Sequence, residues 1–247
     1  MNGQALMKYR FDILLNFLGT GDINTAKIWF MGIEEAQVWT KDSIHEIDLL
    51  ETVLSKTLRP GSIPEQKSKL PHNEKFTNIY DIMSKIIIRL KDNRVKEWQE
   101  YRDKYLFTCG SDAFQLNIFP LGKKRVNSWP REYSEMFGYE KDDYLSTVRR
   151  YRFQHILHNR KQFGNPLTIC FGKSCWEDFK ECLNLQISTY TPLNPFVLYQ
   201  HDRVILAPFF WYGGKIGMTD PRIETLVKCI NDNKLNPFAR DEVRSFL

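Results

Sequence analysis

Short apolar runs set apart by longer stretches of helical period are the feature that most restricts what this chain can fold into. Residues 28–31, 113–119, 167–171 and 203–207 are rich in β-branched and aromatic residues and are bounded by Gly, Pro or charged residues. Runs of that length and makeup read as buried strands. Between them lie segments with helical spacing. Residues 43–58 place Ile44, Ile47, Leu49, Leu50 and Val53 on or near one face, and residues 76–91, 142–160, 174–182 and 220–231 read as further helices. Residues 11–18 end a helix at Gly19, and residues 94–106 read as a charged surface helix. Residues 59–73 read as a loop, carrying Pro60, Gly61, Pro64 and Pro71. A fifth strand, 196–200, is joined to 203–207 by a tight turn at His201 and Asp202. Strands separated by helices predict a parallel sheet in a three-layer α/β domain.

The chain of 247 residues suits one large α/β domain, or one domain with an insertion. Residues 121–165 are polar, basic and aromatic, and read as that insertion. With 42% hydrophobic and 26% charged residues the chain is not of the disordered type. A net charge of +5 permits a polyanionic partner without demanding one. The cysteines are odd in number, Cys109, Cys170, Cys175, Cys182 and Cys229, and form no C-x-x-C. That argues against a disulfide framework and against a zinc or iron–sulfur site, so no metal and no cofactor is expected. The first nineteen residues read as an amphipathic helix and not as a signal peptide, and no apolar run approaches membrane-spanning length. A cytoplasmic monomer without membrane contact is expected.

Three strand ends carry chemistry. Ligands of open α/β sheets bind at the carboxyl ends of the strands. The first run ends Gly32-Ile33-Glu34-Glu35-Ala36, which sets two carboxylates there. Acids in a helix's first turn are also favoured by the helix dipole alone, so this pattern has a structural reading beside the catalytic one. The second run carries Asn117 among apolar residues, in Leu116-Asn117-Ile118-Phe119-Pro120-Leu121. An amide offers a donor and an acceptor, which suits reading a pyrimidine edge; a satisfied turn Asn is the alternative. The last run enters Ala207-Pro208-Phe209-Phe210-Trp211-Tyr212-Gly213-Gly214-Lys215. Its aromatics suit either a hydrophobic plug or a wedge into a base stack. Gly213 and Gly214 let the backbone approach a phosphate, and Lys215 supplies charge.

In these segments, in their order, the chain resembles the uracil-DNA glycosylase superfamily. Gly32 to Ala36 is similar to the family's water-activating loop, with Glu34 in place of the usual Asp or Asn. Phe76-Thr77-Asn78-Ile79-Tyr80-Asp81 is similar to a helix start of the family. Leu116 to Leu121 resembles the strand whose Asn recognises the flipped base, Thr168 to Lys173 the next core strand, and Pro208 to Gly217 the minor-groove intercalation loop. The resemblance implies a three-layer α/β/α domain around a short central parallel sheet of four strands. It also implies a monofunctional DNA glycosylase, in phage-DNA restriction or in base repair. Two departures stand out. Where the family's loop opens with a histidine that stabilises the leaving base, this chain has Ala207, and His201 reads as a turn residue. Where uracil-specific members carry a Tyr against C5, this chain has Ala36, which implies room for a 5-substituted pyrimidine.

The expected mechanism flips the base from the stack and cleaves its N-glycosidic bond. Glu34 stabilises the sugar cation and activates water. Glu35 either accepts a hydrogen bond from a cytosine amino group or is solvated. Asn117, Ala36 and Ile33 line the base pocket. Phe209, Phe210, Trp211, Tyr212, Gly213, Gly214 and Lys215 meet DNA, as do Lys123, Lys124 and Arg125 at the head of the insertion. Arg149-Arg150-Tyr151-Arg152 and His158-Asn159-Arg160-Lys161 either extend that groove or form a solvated face. The alternative is a module of the same fold that binds DNA or a nucleotide without cleaving it.

Overall fold

The computed structural model describes residues 3–34, 38–63, 78–91, 97–123, 128–186, 190–210 and 217–239. Their strands are β1 (Gly19–Gly21), β2 (Ile28–Gly32), β3 (Ser55–Lys56), β4 (Ala113–Asn117), β5 (Leu167–Phe171), β6 (Thr191–Leu193), β7 (Phe196–Tyr199) and β8 (Val204–Ala207). They form one eight-stranded sheet in the order β3-β1-β4-β2-β5-β8-β7-β6. The central run β4-β2-β5-β8 is parallel throughout. On one side β1 pairs antiparallel with β4 and parallel with β3. On the other, β7 and β6 add antiparallel strands beyond β8. The α/β class stands as expected; the expected four-stranded sheet is the parallel centre of a wider one.

Both faces of the sheet are covered, which explains why the central strands read as largely apolar runs, broken by Gln115 and Asn117 in β4 and by Thr168 in β5. Side chains alternate across a strand. Trp29 and Met31 of β2, Phe114 and Leu116 of β4, and Cys170 of β5 point to one side. There they pack with Phe11, Tyr133, Tyr144, Val148, Ile156 and Phe179. Ile28, Phe30, Ile169, Phe171 and Ile205 point to the other, against Ile82, Met83, Ile86, Ile223 and Leu226. The first face is thus covered by the helices Gly3–Asn16, Arg131–Phe137, Lys141–Thr147 with its continuation Gln154–Gln162, and Trp176–Leu183. The second is covered by Asn78–Leu90 and Asp220–Asp232.

One reading of the sequence is corrected here. Residues 43–58 are not one helix. They form a 3-10 helix, Ile44–Leu50, and then the edge strand β3. Only part of the apolar pattern is inward: Ile44 and Ile47 are buried, whereas Leu49 is 79% exposed. Residues 121–165 contribute Tyr133, Tyr144, Val148, Phe153 and Ile156 to one core. The helix there runs from Lys141 to Gln162 through a π-helical stretch, Val148–Phe153. All five cysteines are free thiols, and no described helix is long and apolar enough to cross a membrane.

Candidate active site at the carboxyl ends of the parallel strands

β2 and β4 end level with each other: Gly32 is the register partner of Asn117. The two chains stay joined beyond the strands, since Ile118 N–H donates to Gly32 O at 3.1 Å and Phe119 N–H to Ile33 O at 2.9 Å. Adjacent parallel strands therefore deliver Glu34 and Asn117 to the same end of the sheet, where the loops gather. Side chain and backbone of Asn117 have different fates. Its carbonyl accepts from Arg152 Nη2 at 2.7 Å and from Nε at 3.1 Å. Its side-chain amide is half-buried and makes no hydrogen bond among the described residues. That amide keeps its donor and acceptor for something else.

Glu34 carries a side chain only 7% exposed, with Lys123 Nζ 2.9 Å from its Oε2. The ion pair is close, yet its direction is not that of a hydrogen bond, and Oε2 is buried without one. Burial pushes the Glu34 carboxyl above the usual carboxylate range, while Lys123 first and Lys141 second pull it back. The nearby Cys175 thiol is pushed up to about 11 by burial, so it is a protonated, inert neighbour at neutral pH.

Two buried tyrosines set the loop that presents Lys123. Tyr144 Oη accepts from Leu121 N–H at 3.2 Å. Tyr133 Oη donates to Gly122 O at 2.5 Å and accepts from Trp39 N–H at 3.0 Å. The helices Arg131–Phe137 and Lys141–Thr147 thus reach the site through their hydroxyls. Arg152 is the third support. It is 3% exposed, lies in the π-helical stretch, and bonds the carbonyls of Leu14, Leu15, Phe17 and Leu18 as well as that of Asn117. A widened helical turn aims the guanidinium inward and ties the end of the first helix to the end of β4.

The structure relocates several expected contacts. Lys123 faces Glu34 and not phosphate, because its side chain is 4% exposed. Phe210 is fully buried, stacked on Phe171 at 4.5 Å and edge-on to Phe30 at 6.0 Å, so it belongs to the core and is no wedge. Phe209 is 43% exposed and remains accessible. Ile33 is buried over Gly172, whose φ of +126° and lack of a Cβ let the Ile33 side chain lie there. Arg152 and Arg160 are also removed from any groove. Arg160 binds Thr168 Oγ1 at 2.8 Å and Pro166 O at 3.2 Å, and burial lowers it to about 10. Arg150 and Tyr151 stay exposed, and Arg149 is paired with Asp178 and Glu181. Glu35, Ala36, Lys124, Arg125, Trp211, Tyr212, Gly213, Gly214 and Lys215 lie outside the described residues.

Lys123 as a partner of Glu34, the tyrosine clamps and the Arg152 anchor were not read from the sequence. One signal was present: Lys123 follows the apolar Leu121 and Gly122 directly, unlike the rest of its basic run. Among the described residues no cluster of His, Cys, Asp or Glu is arranged to hold a metal ion. Compared with models of known families, with curated proteins and with solved structures, the chain has no significant match.

Proposed function

We propose that this protein is a monofunctional DNA glycosylase that flips out a pyrimidine carrying a 5-substituent and hydrolyses its N-glycosidic bond, leaving an abasic site. The observation that carries the reading is the pairing of roles at two adjacent strand ends. Glu34 is a buried carboxylate, and Asn117, the register partner of Gly32, offers an amide that is unbonded among the described residues. Heterolysis of the bond places positive charge on the sugar, which a carboxylate in a dry site stabilises strongly. A rigidly held amide reads a base edge through both its donor and its acceptor. The parallel order β4-β2-β5-β8 supports the resemblance to the uracil-DNA glycosylase superfamily. The 5-substituent rests on Ala36 at the position of a blocking Tyr in that resemblance.

One observation favours a second reading, binding without cleavage: Glu34 is already neutralised by Lys123. Duplex and single-stranded oligonucleotides containing uracil, cytosine, 5-hydroxymethylcytosine and its glucosylated form separate the two. Release of free base, seen by mass spectrometry together with alkali-labile strands, supports the glycosylase. Tight binding of the same DNA with no base released supports the binding module.

A further inference from the structure

The departing base is the half of this reaction that Glu34 does not serve. A carboxylate stabilises the sugar cation and takes a proton from water. The base leaves with the electron pair of the broken bond and needs a proton or a positive charge of its own. The cation paired with Glu34 is Lys123, at 2.9 Å, with both side chains more than nine-tenths buried. Lys141 acts on Glu34 more weakly, and among the described residues Tyr144 and Cys175 also feel its charge. A buried ion pair adds little net stability over apolar residues of the same volume. Its place at the ligand-binding ends of the strands, in a loop clamped by Tyr133 and Tyr144, is better explained by chemistry.

We propose that Lys123 is the general acid that protonates the leaving base, and that Glu34 recharges it; this rests on the glycosylase reading above. The C1′–N bond breaks and its electron pair goes to the base. Water oxygen bonds to C1′, and the water proton goes to Glu34. The base takes a proton from the Lys123 ammonium. A neutral amine and a neutral carboxylic acid then stand 2.9 Å apart, and a rotation about the Lys123 side chain brings them into line for the proton to pass from Glu34 to Lys123. The sum is one water consumed, one abasic sugar and one neutral base released, with the site restored and no outside acid required.

Arginine separates this role from simple charge pairing, because it keeps the positive charge but does not give up its proton at working pH. Single-turnover base release is measured for wild type, Lys123→Arg and Lys123→Met on pyrimidines of graded leaving ability, from cytosine types to 5-formyl or 5-fluoro types. Both variants should lose at least ~100-fold on the poorest leaving group, in the range of general acid catalysis. They should lose at least ~10-fold less on the best one. In the wild type the rates should depend only weakly on base acidity, a readout that needs no folded variant. Rescue by Lys123→Arg, an equal loss across the series, or a steep wild-type dependence overturns the proposal while leaving the glycosylase reading intact. If the wild type releases none of these bases, the glycosylase reading fails and the proposal goes with it.

Discussion

Asn117 lies across Gly32: the two are register partners at the ends of β4 and β2, and Asn117 Oδ1 occupies the space that a Cβ on Gly32 would need. The same Cβ would stand 2.9 Å from Phe171 Cζ, so the missing side chain is what lets the amide sit at this height on the sheet. Gly32→Ala should therefore displace Asn117 as well as strain the core. The expected loss is about 1–3 kcal/mol, as for other insertions of a methyl into packed surroundings. Base discrimination should fall along with stability. Thermal unfolding alongside base-release ratios checks this, and unchanged ratios in a destabilised protein would remove the amide from recognition.

Arg152 should behave as a structural anchor and not as a DNA contact. Its guanidinium holds the carbonyls of Leu14, Leu15, Phe17, Leu18 and Asn117, all lost in Arg152→Met. Buried carbonyls left unpaired cost about 1–3 kcal/mol each at most sites, with partial relaxation. A total loss of about 3 kcal/mol or more is expected in urea unfolding. The salt dependence of DNA binding, which counts phosphate contacts, should stay as in the wild type.

The two phenylalanines before residue 211 should separate cleanly. Phe210→Ala opens a cavity between Phe30 and Phe171 and should cost about 3–5 kcal/mol. Phe209→Ala, at an exposed site, should change stability by under ~1 kcal/mol and weaken duplex binding more than single-strand binding. Equal binding of both DNA forms by that variant would take Phe209 out of the interface.

Much of this layout was legible in the sequence, and the failures have two causes. The central strands announced themselves because β2 and β5 are buried on both faces and so are almost wholly apolar, Thr168 of β5 being the buried polar exception. Their ends, with Glu34 and Asn117, followed from that. β1 is Gly-Thr-Gly and β3 is Ser-Lys. They hold their places through backbone pairing, which leaves no hydrophobic pattern to read. The charged runs misled for a different reason. Whether an Arg faces water or a cage of carbonyls depends on partners far along the chain, such as Leu14 and Asn117 for Arg152. Lys123 looked like part of a solvated basic run for the same reason, since its partner Glu34 lies on another strand end.

Activity and stability should respond oppositely to pH through Glu34. Burial raises its folded pKa above the unfolded value. The stability linked to it is fully present below the unfolded pKa and is lost as pH rises through the raised folded pKa. Under the proposed mechanism catalysis needs the carboxylate, so base release should rise through that same window, starting above the usual carboxylate range. Comparison of wild type with Glu34→Gln in urea unfolding isolates the stability half: the wild type's relative stability should decline as pH increases there. A flat difference would mean that Glu34 is not desolvated in solution.

The central claim is that Glu34 performs the chemistry, and single-turnover base release by Glu34→Gln tests it most directly. On whichever modified pyrimidine the wild type excises, the variant should lose at least ~100-fold in rate, as expected for an electrostatic group in a dry site. Its affinity for the same DNA should be retained. Wild-type release rates in Glu34→Gln would contradict the account.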